Sequence, residues 1–173
     1  MELLGQAANP MELVIREADL TDSADSSALV EVLNSYACDE VGGGKPLSRE
    51  VQERLPVALR RHPTTRVFLA RVSGQPVGVA ICFIGLSTFQ ARPLLNIHDL
   101  AVIPQWRGKG IGRALLSAVE AQAISAGCCK LTLEVQDTNG PARGLYERVG
   151  FSDFVVGASG PTRFLSKPLD RSG

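Results

Sequence analysis

Three glycines alternate with other residues in the segment PQWRGKGIGRALL: Gly108, Gly110 and Gly112. A glycine has no Cβ, so the backbone can approach a ligand closely at such positions. A helix is predicted to begin within this segment, and the N–H groups and dipole of a helix start attract phosphate. Arg107, Lys109 and Arg113 add positive charge. The segment therefore predicts a phosphate site, and the alternative is a tight strand-to-helix connection with solvated basic residues.

Two better-known phosphate loops match this segment poorly. A P-loop requires G-x-x-x-x-G-K-[ST], but Lys109 is followed by Gly110. A Rossmann turn requires G-x-G-x-x-G directly after its strand, but Arg113 stands at the third glycine position and Pro-Gln-Trp-Arg intervenes. Glu134, at the end of the next predicted strand, resembles the Rossmann ribose acid. Dinucleotide binding therefore stays open as an alternative.

The first half of the chain predicts a short strand, two helices and a hairpin. The strand covers residues 13–16, and the first helix carries Leu29, Leu33 and Tyr36 on one face. A glycine-containing loop follows, and Ser48 caps a second helix that Pro56 should bend or split. Residues 66–72 and 77–84 then form two strands around the turn SGQP.

The second half predicts a strand, helix, strand crossover followed by shorter elements. Residues 96–103 form a strand, 112–126 a helix and 130–135 a strand. A short helix ends at Gly150, and residues 151–156 and 162–165 supply the last strands. The pattern predicts a mixed α/β sheet flanked by helices, with parallel pairing only where strands are joined through the helix.

Composition limits the classes of protein to which the chain can belong. Its 173 residues and 45% hydrophobic content suit a single domain, 1–173. Eighteen basic residues balance eighteen acidic ones, so no overall field favours nucleic acid or an anionic membrane. The N-terminus lacks a signal-peptide pattern, and the longest apolar run, VGVAICFIGL, is too short to span a bilayer. The four cysteines show no metal or disulfide spacing. We expect a cytoplasmic protein without a metal.

The glycine segment resembles motif A of the GNAT acetyltransferase superfamily, Q/R-x-x-G-x-G/A, with Arg107, Gly110 and Gly112 at its fixed positions. The resemblance extends upstream through HDLAVIP, which is similar to the family's bulged strand. Downstream, NGPARGLYERVGF is similar to its N-x-x-A-x-x-L-Y-x-x-x-G-F pattern. The resemblance implies a GNAT-like fold with a mixed, mostly antiparallel sheet of six to seven strands flanked by helices.

The resemblance also implies a co-substrate, acetyl-CoA, and the residues that bind it. The loop that would hold the pyrophosphate consists of Arg107, Gly108, Lys109, Gly110, Ile111, Gly112 and Arg113. Backbone groups around Leu100, Ala101 and Val102 would pair with the pantetheine arm like an added strand. Asn139 would donate to the pantetheine, although Asn before Gly-Pro is also an ordinary helix cap.

Acetyl transfer requires that the amine lose a proton, to a side chain or to a water chain, and an acid can assist the thiolate that leaves. Tyr146 is similar to the family tyrosine that protonates the departing thiolate, and its alternative role is a core aromatic. His98, Asp99 and Glu134 are the candidate bases, each with an alternative role as a hydrogen-bonded structural residue. His98 and Asp99 are adjacent on a strand, so we expect their side chains on opposite faces.

The resemblance assigns two regions to the two substrates. Residues 96–151 would form the acetyl-CoA-binding core, and the helices within 19–62, with the loop Gly42–Gly44, would border the acceptor. Cys38, Asp39 and Glu40 lie beside that loop, where the acids could attract a cationic amine. The implied function is N-acetylation of a small-molecule or protein amine. The alternative is a noncatalytic acyl-CoA-binding or regulatory module, and a homodimer stays open.

Overall fold

The computed structural model describes residues 12–155 and 164–167. In chain order its helices and strands are β1 (Leu13–Glu17), α1 (Ser23–Ala37), α2 (Arg49–Arg61), β2 (Thr65–Val72), β3 (Gln75–Ser87), β4 (Arg92–Val102), α3 (Ile111–Ser125), β5 (Leu131–Leu133) and α4 (Gly140–Arg148). Two short 3₁₀ turns, Glu40–Gly42 and Pro104–Trp106, precede α2 and α3. Pro56 lies inside α2, which nevertheless continues as one helix, so the predicted split does not occur.

The sheet has the order β1-β2-β3-β4-β5, with antiparallel pairing throughout except for the parallel pair β4 and β5. The predicted mixed, mostly antiparallel fold is confirmed. Five strands lie within the described residues, against the six to seven expected. Residues 151–154 form no strand, Val155 makes only an isolated bridge, and Phe164 and Leu165 are exposed without regular structure. Residues 156–163 lie outside the described part. Apolar, β-prone composition does not itself supply a pairing partner.

The chain divides into two compact units, Met1–Leu133 and Glu134–Gly173. The first contains the whole five-stranded sheet with α1, α2 and α3. The second contains α4. The assignment of 1–173 to a single domain stays a prediction.

A buried carboxylate fixes the start of α1 against the sheet. Asp22 caps the helix, its side chain accepting from Ala24 N, and Asp25 in the first turn is fully buried. Arg16 of β1 donates to both oxygens of Asp25, at 2.7 and 2.6 Å, and Arg71 of β2 donates at 3.2 Å. Burial alone would raise the pKa of Asp25, but these hydrogen bonds outweigh it and hold the pKa below its usual value.

Two apolar layers cover the two faces of the sheet. The layer that we name the α1-side core joins α1, α2 and three strands: Ala28, Leu29, Val32, Leu59, Val67, Leu69, Val79, Ile81 and Ala101. On the other face α3 buries Leu115, Leu116 and Val119. A Cβ at Gly78 of β3 would lie 3.0 Å from Leu115 Cδ1 and 3.2 Å from Ile111 Cγ2. The absence of a side chain at Gly78 therefore lets the first turn of α3 approach the sheet.

Candidate active site

The glycine segment forms a sharp turn into the N-terminus of α3. Gly108 and Gly110 have φ values of +72° and +82°, a region that side-chain-bearing residues rarely adopt. Gly110 caps α3 without a side-chain hydrogen bond, and the first N–H of α3 bonded to this cap's carbonyl is that of Ala114, at 3.0 Å. The preceding N–H groups, those of Ile111, Gly112 and Arg113, belong to the first helical turn and have no intrahelical acceptor.

The surroundings of this turn leave room for a ligand. A Cβ built at Gly108 or Gly110 meets no heavy atom within 4 Å. Ile111, the first residue of α3, is buried at 3% exposure and anchors the turn to the sheet. The first N–H groups of α3 thus lack intrahelical acceptors and carry the positive end of the helix dipole, and the space beside Gly108 and Gly110 is open, an arrangement that suits an anion. The predicted turn and helix start are present, and we name residues 107–113 the cradle; that it binds a phosphate stays a prediction.

The basic side chains of the cradle differ from the sequence-based expectation. Arg107 donates from Nε to Val102 O at 2.9 Å and forms an ion pair through Nη2 with Asp39. Lys109 places its Nζ 4.5 Å from the centroid of the Trp106 ring. Arg113 is exposed. Two of the three charges therefore have partners within the protein. Arg107 pairs with a residue that is distant in sequence, and Lys109 contacts a ring that was not among the predicted partners.

On the β5 side, the C-terminal half of β4 has no neighbouring strand among the described residues. The parallel partner β5 pairs only with Leu95–Ile97. Among the described residues no strand pairs with that edge from His98 to Val102. An open edge of this length can accept an extended ligand arm as an added strand.

The hydrogen-bond alternation of β4 tells which residues face this open edge. Ile103 N donates to Val77 O at 2.9 Å, so Ile103 turns its backbone groups toward β3. Groups two residues apart turn the same way in an antiparallel ladder, so Ala101 also faces β3. The side chain of Ala101 is buried in the α1-side core. Of the three residues predicted to meet pantetheine, Leu100 and Val102 direct their backbone groups to the open edge, and Ala101 does not.

A β-bulge places both candidate bases of β4 on the same face of the sheet. Asp99 pairs with Ile81, but Ile97 pairs with Cys82, which leaves His98 as the extra residue. The ring of His98 lies 5.5 Å from that of Phe83, which packs on the α1-side core. Asp99 stands opposite Ile81, a member of the same core. The expectation of opposite faces is wrong, because the inserted residue interrupts the two-residue alternation.

Electrostatics distinguishes the two residues. Burial raises the pKa of Asp99 above its ordinary value, and the neighbouring charge of His98 opposes that shift. His98 itself is exposed. A carboxylate with a raised pKa accepts a proton more readily than an ordinary aspartate does. Asp99 is therefore a stronger base than its residue type alone predicts.

His62 is not among the site residues predicted from the sequence. The chain has two histidines, and both rings pack edge-to-face on Phe83: His62 at 4.8 Å between centroids and His98 at 5.5 Å. Opposite Phe83 on β2, Thr65 has a buried Oγ1 without a hydrogen-bond partner among the described residues. His62 follows the last residue of α2, a position whose proximity to Phe83 of β3 no sequence spacing reveals.

The remaining predicted site residues belong to the second unit. Glu134 is exposed and follows the end of β5, not within a strand as predicted. Asn139 caps α4, because its side chain accepts from Ala142 N at 3.3 Å; this confirms the cap and leaves its role toward pantetheine a prediction. Tyr146 is half-buried in α4, its ring 5.8 Å from that of Phe151.

Cys38, Asp39 and Glu40, beside the loop of residues 42–44, have different environments. Cys38 and Glu40 are exposed, and the side chain of Asp39 is 25% exposed and paired with Arg107. In the part of the chain that the structure describes, no group of three His, Cys, Asp or Glu residues could hold a metal ion. None of the helices described there has the length and apolar character needed to cross a membrane.

Comparisons with known proteins agree on one family. The model of the acetyltransferase (GNAT) family matches residues 29–151. The uncharacterized N-acetyltransferase YhfO of Bacillus subtilis (strain 168) is 28% identical over 144 residues, which cover 80% of this chain and 89% of YhfO.

Two solved structures share the fold at low sequence identity. A ribosomal-protein-alanine N-acetyltransferase of Brucella melitensis is 22% identical with a TM-score of 0.65, covering 84% of this chain and 99% of that one. The aminoglycoside N-acetyltransferase AAC(6')-Iy, in complex with CoA, is 16% identical with a TM-score of 0.70, covering 96% and 98%. Because the family model spans more than half of the sequence, from within α1 to Phe151 beyond the end of α4, the chain belongs to the GNAT acetyltransferase family.

Proposed function

We propose that this chain is an N-acetyltransferase that transfers the acetyl group of acetyl-CoA to an amine. The proposal rests on two features together: the cradle at the N-terminus of α3, around Gly110, and the open edge of β4 at Leu100 and Val102. A diphosphate matches the first, and an extended amide-containing arm matches the second. CoA contains both groups in one molecule, and the related aminoglycoside enzyme was solved with CoA.

Different residues would bind the diphosphate and the pantetheine arm. The N–H groups of Ile111, Gly112 and Arg113 would donate to diphosphate oxygens, while Gly108 and Gly110 keep the approach free of side chains. Leu100 and Val102 would pair with the pantetheine amides and so orient the thioester along β4. Asn139 would donate to the same arm. Acetyl-CoA supplies an activated acyl group when bound.

The base must remove a proton from the acceptor amine, because an ammonium group has no lone pair for attack on the thioester carbonyl. Asp99 and His98 share the α1-side face at the bulge. We propose Asp99 as the first candidate for this base, since its burial raises its pKa, with His98 second and Glu134 third. Tyr146 would donate its hydroxyl proton to the thiolate that leaves.

The acceptor would bind on the α1-side face next to the bulge. Phe83 with the two histidine rings packed edge-on against it offers an aromatic wall, and Thr65 Oγ1 is a buried polar atom without a hydrogen-bond partner among the described residues. The acceptors named for the two solved relatives, an aminoglycoside and a ribosomal-protein alanine, differ widely. We therefore propose the class of acceptor only as an amine of a small molecule or a protein.

A turnover screen tests the proposal. Release of free CoA from acetyl-CoA is followed with a thiol reagent in the presence of polyamines, aminoglycosides, amino acids and peptides with free N-termini. We expect release with at least one of these classes and none without an amine. Binding of acetyl-CoA without turnover on any amine supports the noncatalytic module instead, and absence of acetyl-CoA binding refutes the cradle assignment.

The base is tested by separate replacements, Asp99→Asn, His98→Gln and Glu134→Gln. We expect Asp99→Asn alone to remove the acidic limb of the pH profile of kcat/KM. The substrate amine can produce the same limb, so acceptors of different amine pKa are compared. If all three variants keep a limb that follows the amine pKa, none of these side chains is the base.

A further inference from the structure

Asp39 joins two loops that belong to different sides of the proposed active site. Its carboxylate forms an ion pair with Arg107 Nη2, next to the cradle. Its backbone carbonyl accepts from Gly42 N at 2.9 Å and from Gly44 N at 2.7 Å. We refer to residues 42–44 as the glycine loop. One residue therefore ties the glycine loop, on the acceptor side, to the loop that precedes α3.

Arg107 is a basic residue of the cradle with a backbone hydrogen bond and an ion pair at the same time. Its Nε donates to Val102 O, a backbone group on the open edge of β4, and its Nη2 is taken by Asp39. It lies three residues before the Gly110 cap of α3. A guanidinium binds phosphate and carboxylate oxygens in the same forked geometry. The Asp39 carboxylate and a diphosphate bound at the cradle would therefore draw on the same guanidinium.

The glycine loop has little freedom while Asp39 is held. A Cβ built at Gly42 would lie 2.0 Å from Tyr36 O, so the loop passes directly over the end of α1. Gly43 and Gly44 have φ values of +108° and +70°, which keep the loop in a conformation specific to glycine. Tyr36 packs on the α1-side core that also carries Phe83. Tyr36 thus connects the end of α1, over which the glycine loop passes, to the face proposed for the acceptor.

We propose that the Asp39 carboxylate is an internal competitor of the co-substrate's diphosphate for Arg107, and that occupation of the cradle releases Asp39 and loosens the glycine loop. This inference rests on the proposed function, since it requires an anionic co-substrate at the cradle. It makes Asp39 a positioning residue: it acts through Arg107 and the loop and contacts no reacting atom.

The first test measures the affinity of CoA for Asp39→Asn by calorimetry, with Glu40→Gln as the matched control. Both variants remove one negative charge from the same turn, but Glu40 is exposed and does not pair with Arg107. Partly exposed ion pairs are weak, so we expect the Kd of CoA to fall about twofold to fivefold in Asp39→Asn. Glu40→Gln should show less than half of that change, reporting only the general effect of charge.

The second test measures amide hydrogen exchange in residues 38–45. Within this segment Gly42 N and Gly44 N are the donors to the Asp39 carbonyl, so the exchange of these two amides reports on that contact. We expect saturating CoA to speed their exchange in the wild type. In Asp39→Asn the exchange should be fast already and should not change further with CoA. Circular dichroism on both variants checks that each is folded.

The outcomes separate this inference from the proposed function. If the wild type does not bind CoA, both are refuted. If it binds CoA but Asp39→Asn matches Glu40→Gln, the competition is refuted and the acetyltransferase proposal stands. A weaker affinity in Asp39→Asn also overturns the competition, because it means that Asp39 holds Arg107 ready for the diphosphate. Unchanged or slower exchange of the glycine loop with CoA overturns its loosening.

Discussion

Replacement of Gly110 by alanine is the sharpest perturbation of the proposed cradle. Gly110 caps α3 with φ +82°, and a Cβ there meets no heavy atom of the chain within 4 Å. The substitution therefore creates no steric clash with the protein. It forces an L-residue into the left-handed region, which costs about 1–2 kcal/mol, unless the backbone turns away. Either response changes the site: the Cβ enters the ligand's space, or the N–H groups at the start of α3 lose their direction.

The magnitude follows from the number of donors affected. A hydrogen bond to a charged group contributes about 1.5–3 kcal/mol, so loss of one donor to the diphosphate raises the Kd of acetyl-CoA roughly tenfold to a hundredfold. The backbone cost lowers the free energy of unfolding by about 1–2 kcal/mol, a fall in Tm of roughly 2–8 °C for a chain of this size.

Gly127 supplies the matched control. It has φ +68° just beyond α3, and a Cβ there also meets no heavy atom within 4 Å. Gly127→Ala should lose a similar amount of stability and keep its affinity for acetyl-CoA within about twofold. Calorimetry gives the affinities, and thermal unfolding gives the stabilities. Equal affinities in Gly110→Ala, Gly127→Ala and the wild type would show that the diphosphate does not bind at the start of α3.

Three further predictions concern catalysis and stability. Tyr146→Phe should lower kcat on the order of tenfold to a thousandfold with acetyl-CoA affinity unchanged. The loss of kcat should be smaller for an acyl donor with a more acidic thiol. Equal kcat in the two proteins, with chemistry shown to be rate-limiting, would leave Tyr146 only a packing role. Because burial raises the pKa of Asp99, the folded chain keeps this proton to higher pH than the unfolded chain, so stability falls as pH rises from about 4 through the raised pKa. Asp99→Asn should remove this loss, and urea unfolding at pH 4 and pH 7 should show a gain over wild type only at the higher pH. Arg16→Met should cost about 1–3 kcal/mol by depriving buried Asp25 of two hydrogen bonds, whereas Arg49→Met, on an exposed helix pair, should cost less than about 0.5 kcal/mol; equal losses in chemical denaturation refute the role of Asp25.

Features that depend on neighbouring residues in the chain were predicted well from the sequence. The start of α2 at Ser48, the cap of α4 at Asn139 and the hairpin between β2 and β3 all have the predicted positions. The glycine turn at Gly110 belongs to the same class, since its left-handed backbone is a property of that residue and its local hydrogen bonds. A helix cap or a tight turn is stabilised within a few residues, so its residue types reveal it.

Features that depend on partners distant in sequence were decided only by the tertiary structure. The bulge at His98 arises from how β4 pairs with β3, and it brings His98 and Asp99 to one face against the expected alternation. The partner of Arg107 lies 68 residues earlier, at Asp39. No spacing in the sequence encodes either pairing, because each depends on which strand or loop the fold brings alongside. The sequence by itself therefore determined where the glycine turn and the N-terminus of α3 lie, the place proposed for the anion, while the packed sheet decided which acids face the proposed acceptor and which charge Arg107 holds.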